Sequence, residues 1–277
     1  MPYREIEPHP ALRPFVDRLW TNTGAEPGND THPAPRRILP DGCIDVLLHL
    51  ADGGRAVVVG TMTQPFLAPA VASGPIAAVR FRPGGAAPFL RLSAHELTDR
   101  HVDASDLGHT WLSDPRAADP RDSSPRETTV DAAVRRLEKS LLAQLSAIRS
   151  PEPLIAHAVA LLFAPDAPPV EALARRIGWS RQHLARAFRA HIGIGPKQLS
   201  RVARMQRAIE ALQRGRAVQP SRSTGLAAAA VGLGYFDEAH MALDFRELVG
   251  LTPAAVRAAR GSLFPIRSLL HAPYGGA

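Results

Sequence analysis

The stretch "IGWSRQHLARAFRAHIGIGP", from Ile177 to Pro196, has an altered copy later in the same chain, "LGYFDEAHMALDFRELVGLTP", from Leu233 to Pro253. Four pairs of equivalent residues lie 57 positions apart: His183 and His240, Phe188 and Phe245, Gly193 and Gly250, and Pro196 and Pro253. Two pairs further upstream lie 56 apart: Ala174 and Ala230, and Gly178 and Gly234. A repeat with a one-residue shift at a turn indicates a duplicated supersecondary unit.

The first copy has the pattern of a short helix, a turn that contains glycine and a second helix. The segment "PPVEALARRIGWS" begins with prolines, as helices often do, and Gly178 is placed to end the helix. Ser180 is placed to cap the next helix, "RQHLARAFRAHI", in which Leu184, Phe188 and Ile192 share one face. The other face carries side chains that suit phosphates and base edges in a DNA major groove: Arg181, Gln182, Arg186 and Arg189.

The residues up to about Leu92 contain short runs that are typical of strands: "RRILPDGCIDVLLHL", "RAVVVGTM" and "IAAVRFRPGG". Gly, Pro and Asp punctuate these runs, as in a compact sheet domain. The segment "RPFVDRLW" before them is amphipathic and compatible with a short helix, and "AAPFLRLSAHELTDR" after them is helical in pattern. The predicted fold class is therefore α+β, with a β-rich, barrel- or sandwich-like domain followed by an all-α domain.

The positive charge is concentrated in the half of the chain that holds the repeat. From Ser150 onward, sixteen Arg or Lys residues face eight Asp or Glu residues, whereas seventeen face eighteen before that point. The net charge of +7 therefore arises in the C-terminal half. A basic domain favours a polyanion as partner, and nucleic acid is the commonest one.

Several function classes do not fit the composition. No apolar run reaches the eighteen residues that a spanning helix needs, and the N-terminus has no apolar signal core, so a cytoplasmic protein without a membrane partner is expected. The single cysteine, Cys43, excludes an internal disulfide and a zinc site with several thiolates. His9, His32 and His49 lack a tight ligand spacing, so neither a metal nor another cofactor is expected.

The chain resembles the AraC/XylS-type transcriptional regulators of bacteria. The motifs that carry the resemblance are "LARRIGWSRQHLARAFRAHIGIGP" and "VGLGYFDEAHMALDFRELVGLTPAAVR", within about Leu154 to Arg260. The resemblance implies two helix-turn-helix units joined by one long helix, which is "GPKQLSRVARMQRAIEALQRG" here. Within this segment, the nineteen residues from Pro196 to Arg214 span about 28 Å as a helix. This length approaches the ~34 Å repeat of B-DNA. Two recognition helices on such a spacer suit successive segments of the major groove.

The resemblance also implies roles for individual residues. The residues expected to meet DNA are Arg181, Gln182, His183, Arg186, Arg189, His240, Leu243 and Arg246. The residues expected to form the turns and cores of the two units are Ala174, Gly178, Phe188, Gly193, Pro196, Ala230, Gly234, Phe245, Gly250 and Pro253. For His183 and His240, a structural role and a phosphate contact both stay open.

Four segments are predicted on this basis. Residues 1–112 are a β-rich sensor domain, 113–150 a linker with an amphipathic helix, 151–262 the DNA-binding domain and 263–277 a tail. The amphipathic helix carries an apolar stripe of Val130, Val134, Leu137, Leu141 and Leu145. This stripe either packs on the chain's own sensor domain or pairs with a second subunit, and we expect a homodimer.

The second unit departs from the family pattern at Leu243, where a basic or polar side chain is common. Its recognition helix also holds more acids than the first, and of these Asp237 and Asp244 are expected to serve as a cap and an internal pair. The first unit is therefore expected to carry most of the sequence specificity.

The predicted function is a sequence-specific transcription factor rather than an enzyme, with a small-molecule effector on its N-terminal domain. The expected partners are double-stranded DNA and that effector, and contact with RNA polymerase fits the family. Two alternatives stay open. One is an enzyme addressed to DNA, with a repair thiol at Cys43, and the other is an architectural DNA binder that senses nothing.

Overall fold

The N-terminal part of the chain is built on one antiparallel sheet. A computed structural model describes residues 3–23, 36–68, 74–108, 129–148, 151–213 and 230–258. The strands within these residues are β1 (Tyr3–Ile6), β2 (Val16–Asn22), β3 (Arg36–Ile38), β4 (Ile44–His49), β5 (Arg55–Val59), β6 (Phe66–Ala68), β7 (Ile76–Phe81) and β8 (His101–Asp103). Six of them form a sheet in the order β1-β2-β7-β4-β5-β8, and β3 pairs with β6 in a separate two-stranded sheet.

Alternation along the strands divides the large sheet into two faces. Leu19 of β2 and Val46 of β4 both lie opposite Val79 of β7, and all three are completely buried. Asp45 lies opposite Arg80, and this pair therefore belongs to the other face. The strand-like runs of the sequence thus form the sheet, and the predicted β-rich N-terminal domain is confirmed.

One face of the sheet is covered by the predicted amphipathic helix. This helix, α2, spans Thr129–Gln144 and follows a single-turn helix α1 at Ala87–Leu90. It lies against β2 and β7, and Val134 and Leu141 are buried in the same core as the sheet residues. The apolar stripe is therefore used within the chain, and this face of α2 is not open to a second subunit.

The segment "RPFVDRLW" is a strand and not a helix. After a 3-10 turn at Pro10–Leu12, the chain enters β2 at Val16. The register against β7 shifts between Val16 and Arg18, which marks a bulge at Asp17. The extra residue brings both Val16 and Leu19 to the buried face, and their three-residue spacing imitates a helical period.

The segment "AAPFLRLSAHELTDR" is only partly helical. It contains α1 and a 3-10 turn at Ala94–Leu97, and Arg91 between them has a φ of 50°. A left-handed residue ends a helix, and Ser93 then starts the 3-10 turn with a capping box that includes Glu96.

The C-terminal part of the described chain is helical, as predicted. Its helices are α3 (Pro153–Phe163), α4 (Val170–Arg176), α5 (Arg181–Ile192), α6 (Pro196–Gln213), α7 (Glu238–Leu248) and α8 (Pro253–Ala258). Residues 230–232 are also helical, and residues 214–229 lie outside the described residues. The predicted segment boundaries after residues 112, 150 and 262 lie outside them too.

Two hydrophobic cores share the long helix α6. Leu199 and Ala203 belong to the core of the first unit, around Phe188. Met205 and Ile209 belong to the core of the second unit, around Phe245. The long helix that the resemblance implies is therefore present and carries one unit at each end.

The packing of α2 gives a direct prediction for stability. Leu141→Ala should lower the free energy of unfolding by about 2–5 kcal/mol, because a completely buried side chain leaves a cavity. Leu145→Ala, in the half-buried turn after α2, is the matched control and should cost clearly less. Urea unfolding followed by circular dichroism measures both, and equal losses would show that α2 does not depend on this face.

Candidate nucleic-acid interface

The turn of the first unit is fixed by one backbone hydrogen bond and one cap. Gly178 has a φ of 74°, and the Trp179 amide donates to the Ala174 carbonyl at 2.9 Å. The Ser180 hydroxyl then accepts the His183 amide at 3.1 Å and caps α5. These contacts set the angle at which α5 leaves the turn.

The second unit repeats this construction at equivalent positions. Gly234 has a φ of 82°, and the Tyr235 amide donates to the Ala230 carbonyl at 3.0 Å. The Asp237 carboxylate accepts the His240 amide at 2.7 Å and caps α7, which confirms the predicted capping role of Asp237. The two recognition helices are therefore held by the same local frame.

The other residues predicted for turns and cores occupy matching places in the two units. Phe188 and Phe245 are completely buried, and Ala174 and Ala230 are buried against them in the same two cores. Two glycines with positive φ, Gly193 and Gly250, follow the two recognition helices. Two buried prolines, Pro196 and Pro253, begin the helices that come next.

Helix α5 separates an apolar face from a cationic one. Leu184 and Ile192 are buried with Phe188. The five residues of this helix predicted to meet DNA are all exposed: Arg181, Gln182, His183, Arg186 and Arg189. No acid lies on α5, so its exposed face is a concentrated source of hydrogen-bond donors and positive charge.

The rings of His183 and His240 pack against the aromatic residues of their turns. The His183 ring packs edge-on against Trp179 with centroids 4.4 Å apart, and its Nδ1 lies 3.2 Å from an Arg186 guanidinium nitrogen. The His240 ring packs against Tyr235 at 5.5 Å, and its Nδ1 accepts the Phe236 amide at 3.3 Å. These contacts support a structural role at both positions, and His183 also lies against an arginine of the reading face.

The exposed face of α7 differs in chemistry from that of α5. Counted 57 positions on, the residues that follow Arg181, Gln182, Arg186 and Arg189 in the second copy are Glu238, Ala239, Leu243 and Arg246. All four are exposed, and Leu243 has 52% of its surface open to solvent. Only Arg246 keeps the cationic character of its counterpart.

The acids of α7 serve to hold the helix in place. Asp244 is 2% exposed and lies between two arginines of α6, Arg201 at 2.8 Å and Arg204 at 3.0 Å. Glu247, which is half-exposed, also pairs with Arg201. The predicted internal pairing of Asp244 is confirmed, and two of the four negative charges near α7 are neutralised by the helix behind it.

The N-terminal domain contacts the backbone at equivalent positions at the ends of both recognition helices. The sequence does not predict these contacts. The Thr61 hydroxyl donates to the Ile192 carbonyl, and the Arg37 guanidinium donates to the Val249 carbonyl at 3.1 Å. Ile192 and Val249 are 57 positions apart and so occupy equivalent places in the two copies. The threonine and the arginine sit outside any periodic pattern, so the sequence gives no signal for this pairing.

The glycines after these carbonyls fit closely against the N-terminal domain. A Cβ on Gly193 would lie 3.0 Å from the hydroxyl of Thr98, which itself donates to the Gly193 carbonyl at 2.8 Å. A Cβ on Gly250 would lie 2.6 Å from an Arg37 guanidinium nitrogen. Both turns therefore need glycine for the contact between domains as well as for their φ angles.

A third contact joins the N-terminal domain to the middle of α6. It lies between the contacts at the ends of α5 and α7. Gln206, which is 2% exposed, donates to the Pro40 carbonyl at 3.2 Å. On either side of this bond, Leu39 is buried in the core of the second unit and Cys43 in that of the first. Gln206 is a polar residue on the buried face of an amphipathic helix, and this is a signal that sequence reasoning had available.

Cys43 is poorly suited to the repair chemistry that the sequence left open. Its side chain is 4% exposed and packs in the core of the first unit. Burial raises the pKa of the Cys43 thiol well above its usual value, and the charge of Asp41 raises it further. A nucleophilic cysteine needs the thiolate, so this environment favours the structural interpretation.

The described part of the chain has neither a metal cluster nor a membrane-spanning helix. Within it, no group of three or more His, Cys, Asp or Glu side chains is arranged to hold a metal ion. No helix among the described residues is both long and apolar enough to cross a membrane.

The buried charges of the second unit give a second stability prediction. Asp244→Ala should destabilise the protein by about 2–4 kcal/mol, because it leaves two arginines that are largely buried without their shared partner. Glu247→Ala removes a half-exposed partner of the same Arg201 and should cost at most about 1 kcal/mol. Urea unfolding compares the two, and a larger loss for Glu247→Ala would contradict the structural role of Asp244.

Two family models match separate parts of the chain. Residues 173–259 match the family model described as "Helix-turn-helix domain", and residues 4–103 match one described as "Domain of unknown function (DUF6597)". A crystal structure of an apo ToxT variant from Vibrio cholerae strain SCE256 aligns with 92% of this chain and 95% of its own, at 10% identity and a TM-score of 0.38. A 1.65 Å structure of ToxT from Vibrio cholerae aligns with 94% of this chain and 97% of its own, again at 10% identity and a TM-score of 0.38. No curated protein sequence matches the chain at a significant level.

The family match covers both recognition helices and the long helix between them. The predicted resemblance is confirmed for this part of the chain. Residues 173–259 are a helix-turn-helix domain of the AraC type, and residues 4–103 match a separate domain ahead of it.

Proposed function

We propose that the chain reads a specific DNA sequence mainly through α5 and that its N-terminal domain adjusts this reading in response to a small molecule. The observation that carries the first part is the exposed face of α5, where Arg181, Gln182, Arg186 and Arg189 stand together without an acid. Arginine pairs well with guanine and glutamine with adenine in the major groove. The second unit then holds the DNA backbone through Arg246, which is exposed near the end of α7.

The contacts between domains support the second part of the proposal. The N-terminal domain bonds the last carbonyls of both recognition helices and the middle of α6. A change in the N-terminal domain that shifts Thr61 relative to Arg37 therefore shifts α5 relative to α7. Because both helices must meet the same DNA, such a shift alters affinity without touching the reading side chains.

A route from the sheet to these contacts begins on the face away from α2. Arg80 lies 3.2 Å from Asp45 and 3.4 Å from Asp41, and the Trp20 indole donates to Asp45 at 3.2 Å. Burial opposes the charge of Arg80, but the carboxylates of Asp45 and Asp41 outweigh it and hold the pKa of Arg80 well above its usual range. Asp41 also accepts the Cys43 amide at 2.9 Å. A small molecule that competes for Arg80 would release Asp41 and loosen the turn that carries Cys43 into the first unit.

An architectural DNA binder is the second candidate function, because the same contacts would also serve a rigid protein that senses nothing. The two functions differ in the response to small molecules. A regulator shows a shift in DNA affinity with at least one metabolite, and an architectural binder shows none across a metabolite library.

The division of labour between the two units is testable with single variants of the full chain. Arg186→Ala should relax the preference at one position of the site and cost about 1–3 kcal/mol of binding free energy. Arg246→Ala should weaken binding to all sequences alike and reduce the slope of affinity against salt by about one unit. A randomised-site selection and titrations at several salt concentrations measure the two effects.

Lys139→Ala is the control for charge, because this lysine is exposed on α2 in the N-terminal part of the chain. It should leave the selected site and the salt slope unchanged. Failure of the wild-type protein to enrich any sequence would overturn the proposed function. Equal damage from Lys139→Ala and Arg186→Ala would show that only net charge matters.

The contact at the end of α5 has its own test. In Thr61→Val with Thr98→Val, the Ile192 and Gly193 carbonyls lose both hydroxyl donors while the side chains keep their shape. Each lost bond is worth about 1 kcal/mol. We expect α5 to become less fixed relative to α7, so that the penalty for one extra base pair between the two subsites falls about 5-fold compared with wild type. An unchanged penalty would show that α6 alone sets the spacing.

A further inference from the structure

Three of the six exposed large hydrophobic side chains among the described residues lie in the second unit. Among the described residues, the exposed large hydrophobic side chains include Phe236 at 84%, Val231 at 61% and Leu243 at 52%, all in this unit. Leu243 and Ala239, which is also exposed, are four residues apart, so they lie on one face of α7. An exposed apolar face on a helix that is otherwise well packed marks a contact surface.

This face occupies the place of a DNA-reading face. Leu243 stands 57 positions after Arg186, and Ala239 stands 57 positions after Gln182. The turn bond, the helix cap and the buried phenylalanine are the same in both units. Helix α7 is therefore presented as α5 is, but with methyl groups where α5 has hydrogen-bond donors.

Of the four acids near this face, three are engaged within the protein, and Glu238 at the start of α7 is exposed. Asp244 and Glu247 are tied back to α6 by Arg201 and Arg204. Asp237 is occupied as the cap. Close to the apolar pair, the cation that remains on α7 is Arg246, at the position equivalent to Arg189.

We infer that α7 recognises 5-methyl pyrimidines in the major groove, which in ordinary DNA means thymine, through Leu243 and Ala239. The C5-methyl group of thymine projects into that groove, and apolar side chains contact it there. The inference rests on the proposed function, and it changes the role of the second unit. The unit reads bases by apolar contact in addition to holding the backbone, while α5 reads them by hydrogen bonds.

Deoxyuridine provides the test, because it differs from thymidine only by the missing methyl group. The binding site is first selected with thymine-containing DNA, and the subsite that Arg186→Ala does not relax is assigned to the second unit. Each thymine of that subsite is then replaced by deoxyuridine. Wild type should lose about 4-fold in affinity at one or two positions, the effect of one buried methyl group. At one of these positions at least, the one that Leu243 contacts, Leu243→Ala should bind thymine and uracil DNA equally.

A gain-of-contact experiment complements this loss. Replacing the critical T·A pair by C·G should weaken wild-type binding, and 5-methylcytosine at that position should restore about 4-fold, since its methyl group occupies the same place. Val231→Ala is the matched control, because Val231 is also an exposed apolar residue of this unit but precedes the turn. It should leave the uracil penalty at its wild-type value.

The outcomes separate the inference from the proposed function. If wild type enriches no sequence at all, the proposed function fails. If wild type has a defined site but binds uracil-substituted DNA as tightly as thymine DNA, the inference alone is overturned, and the apolar face of α7 belongs to a protein partner. An equal uracil penalty in wild type and Leu243→Ala would also overturn the role assigned to Leu243.

Discussion

Helix α6 contributes side chains to two hydrophobic cores at once, and the placement of both recognition helices depends on this shared packing. Leu199 and Ala203 pack with the first unit, while Met205, Ala208 and Ile209 pack with the second. The eighteen residues from Pro196 to Gln213 span about 27 Å as a straight helix. Because side chains of one rigid element enter both cores, neither unit can rotate without disturbing the packing of the other.

The N-terminal domain adds a second restraint of a size suited to regulation. Among the described residues, four hydrogen bonds join it to the C-terminal part, from Arg37, Thr61 and Thr98 and to Pro40, and each is worth about 1 kcal/mol net. The sum is a few kcal/mol, whereas coupling between distant sites in allosteric proteins is typically about 1–3 kcal/mol. A ligand that disturbs half of these bonds can therefore change DNA affinity measurably, while the buried apolar contacts of Leu39 and Cys43 keep the domains together.

The parts of the structure that the sequence predicts are those with a repeated local signal. The turns of the two units follow from Gly178 and Gly234, and the cap at Asp237 has the side chain that such a position requires. The strand β2 has the sequence pattern of a short helix because a bulge at Asp17 gives it a helical spacing. In the candidate site, the exposed arginines of α5 could be named from the amphipathic pattern alone.

The contacts between domains could not be predicted in this way. They join residues more than ninety positions apart, such as Thr98 and Gly193, through single hydroxyl groups that carry no periodic signal. The chemistry of α7 can be predicted from the sequence only in part. Its departure at Leu243 is plain in the sequence, and an internal pair is expected for Asp244, but the partners of that pair, Arg201 and Arg204, are identified by the structure alone.

The two recognition helices differ in how they are held in place and in the chemistry of their exposed faces. In α5, the position equivalent to Asp244 is Ala187, and the helix is held by apolar packing while its charges face outward. In α7, the charge has moved inward, where Asp244 fixes the helix on α6, and the outward positions are left to Ala239 and Leu243. A buried ion pair is sensitive to the angle of approach, and apolar contacts are sensitive to shape. Helix α7 is therefore held by an ion pair on its inner side, and its exposed face is less cationic than that of α5. A helix of this kind discriminates by the fit of a methyl group against its surface, and this explains how a duplicated unit can lose its donors at the reading face and keep a role in recognition.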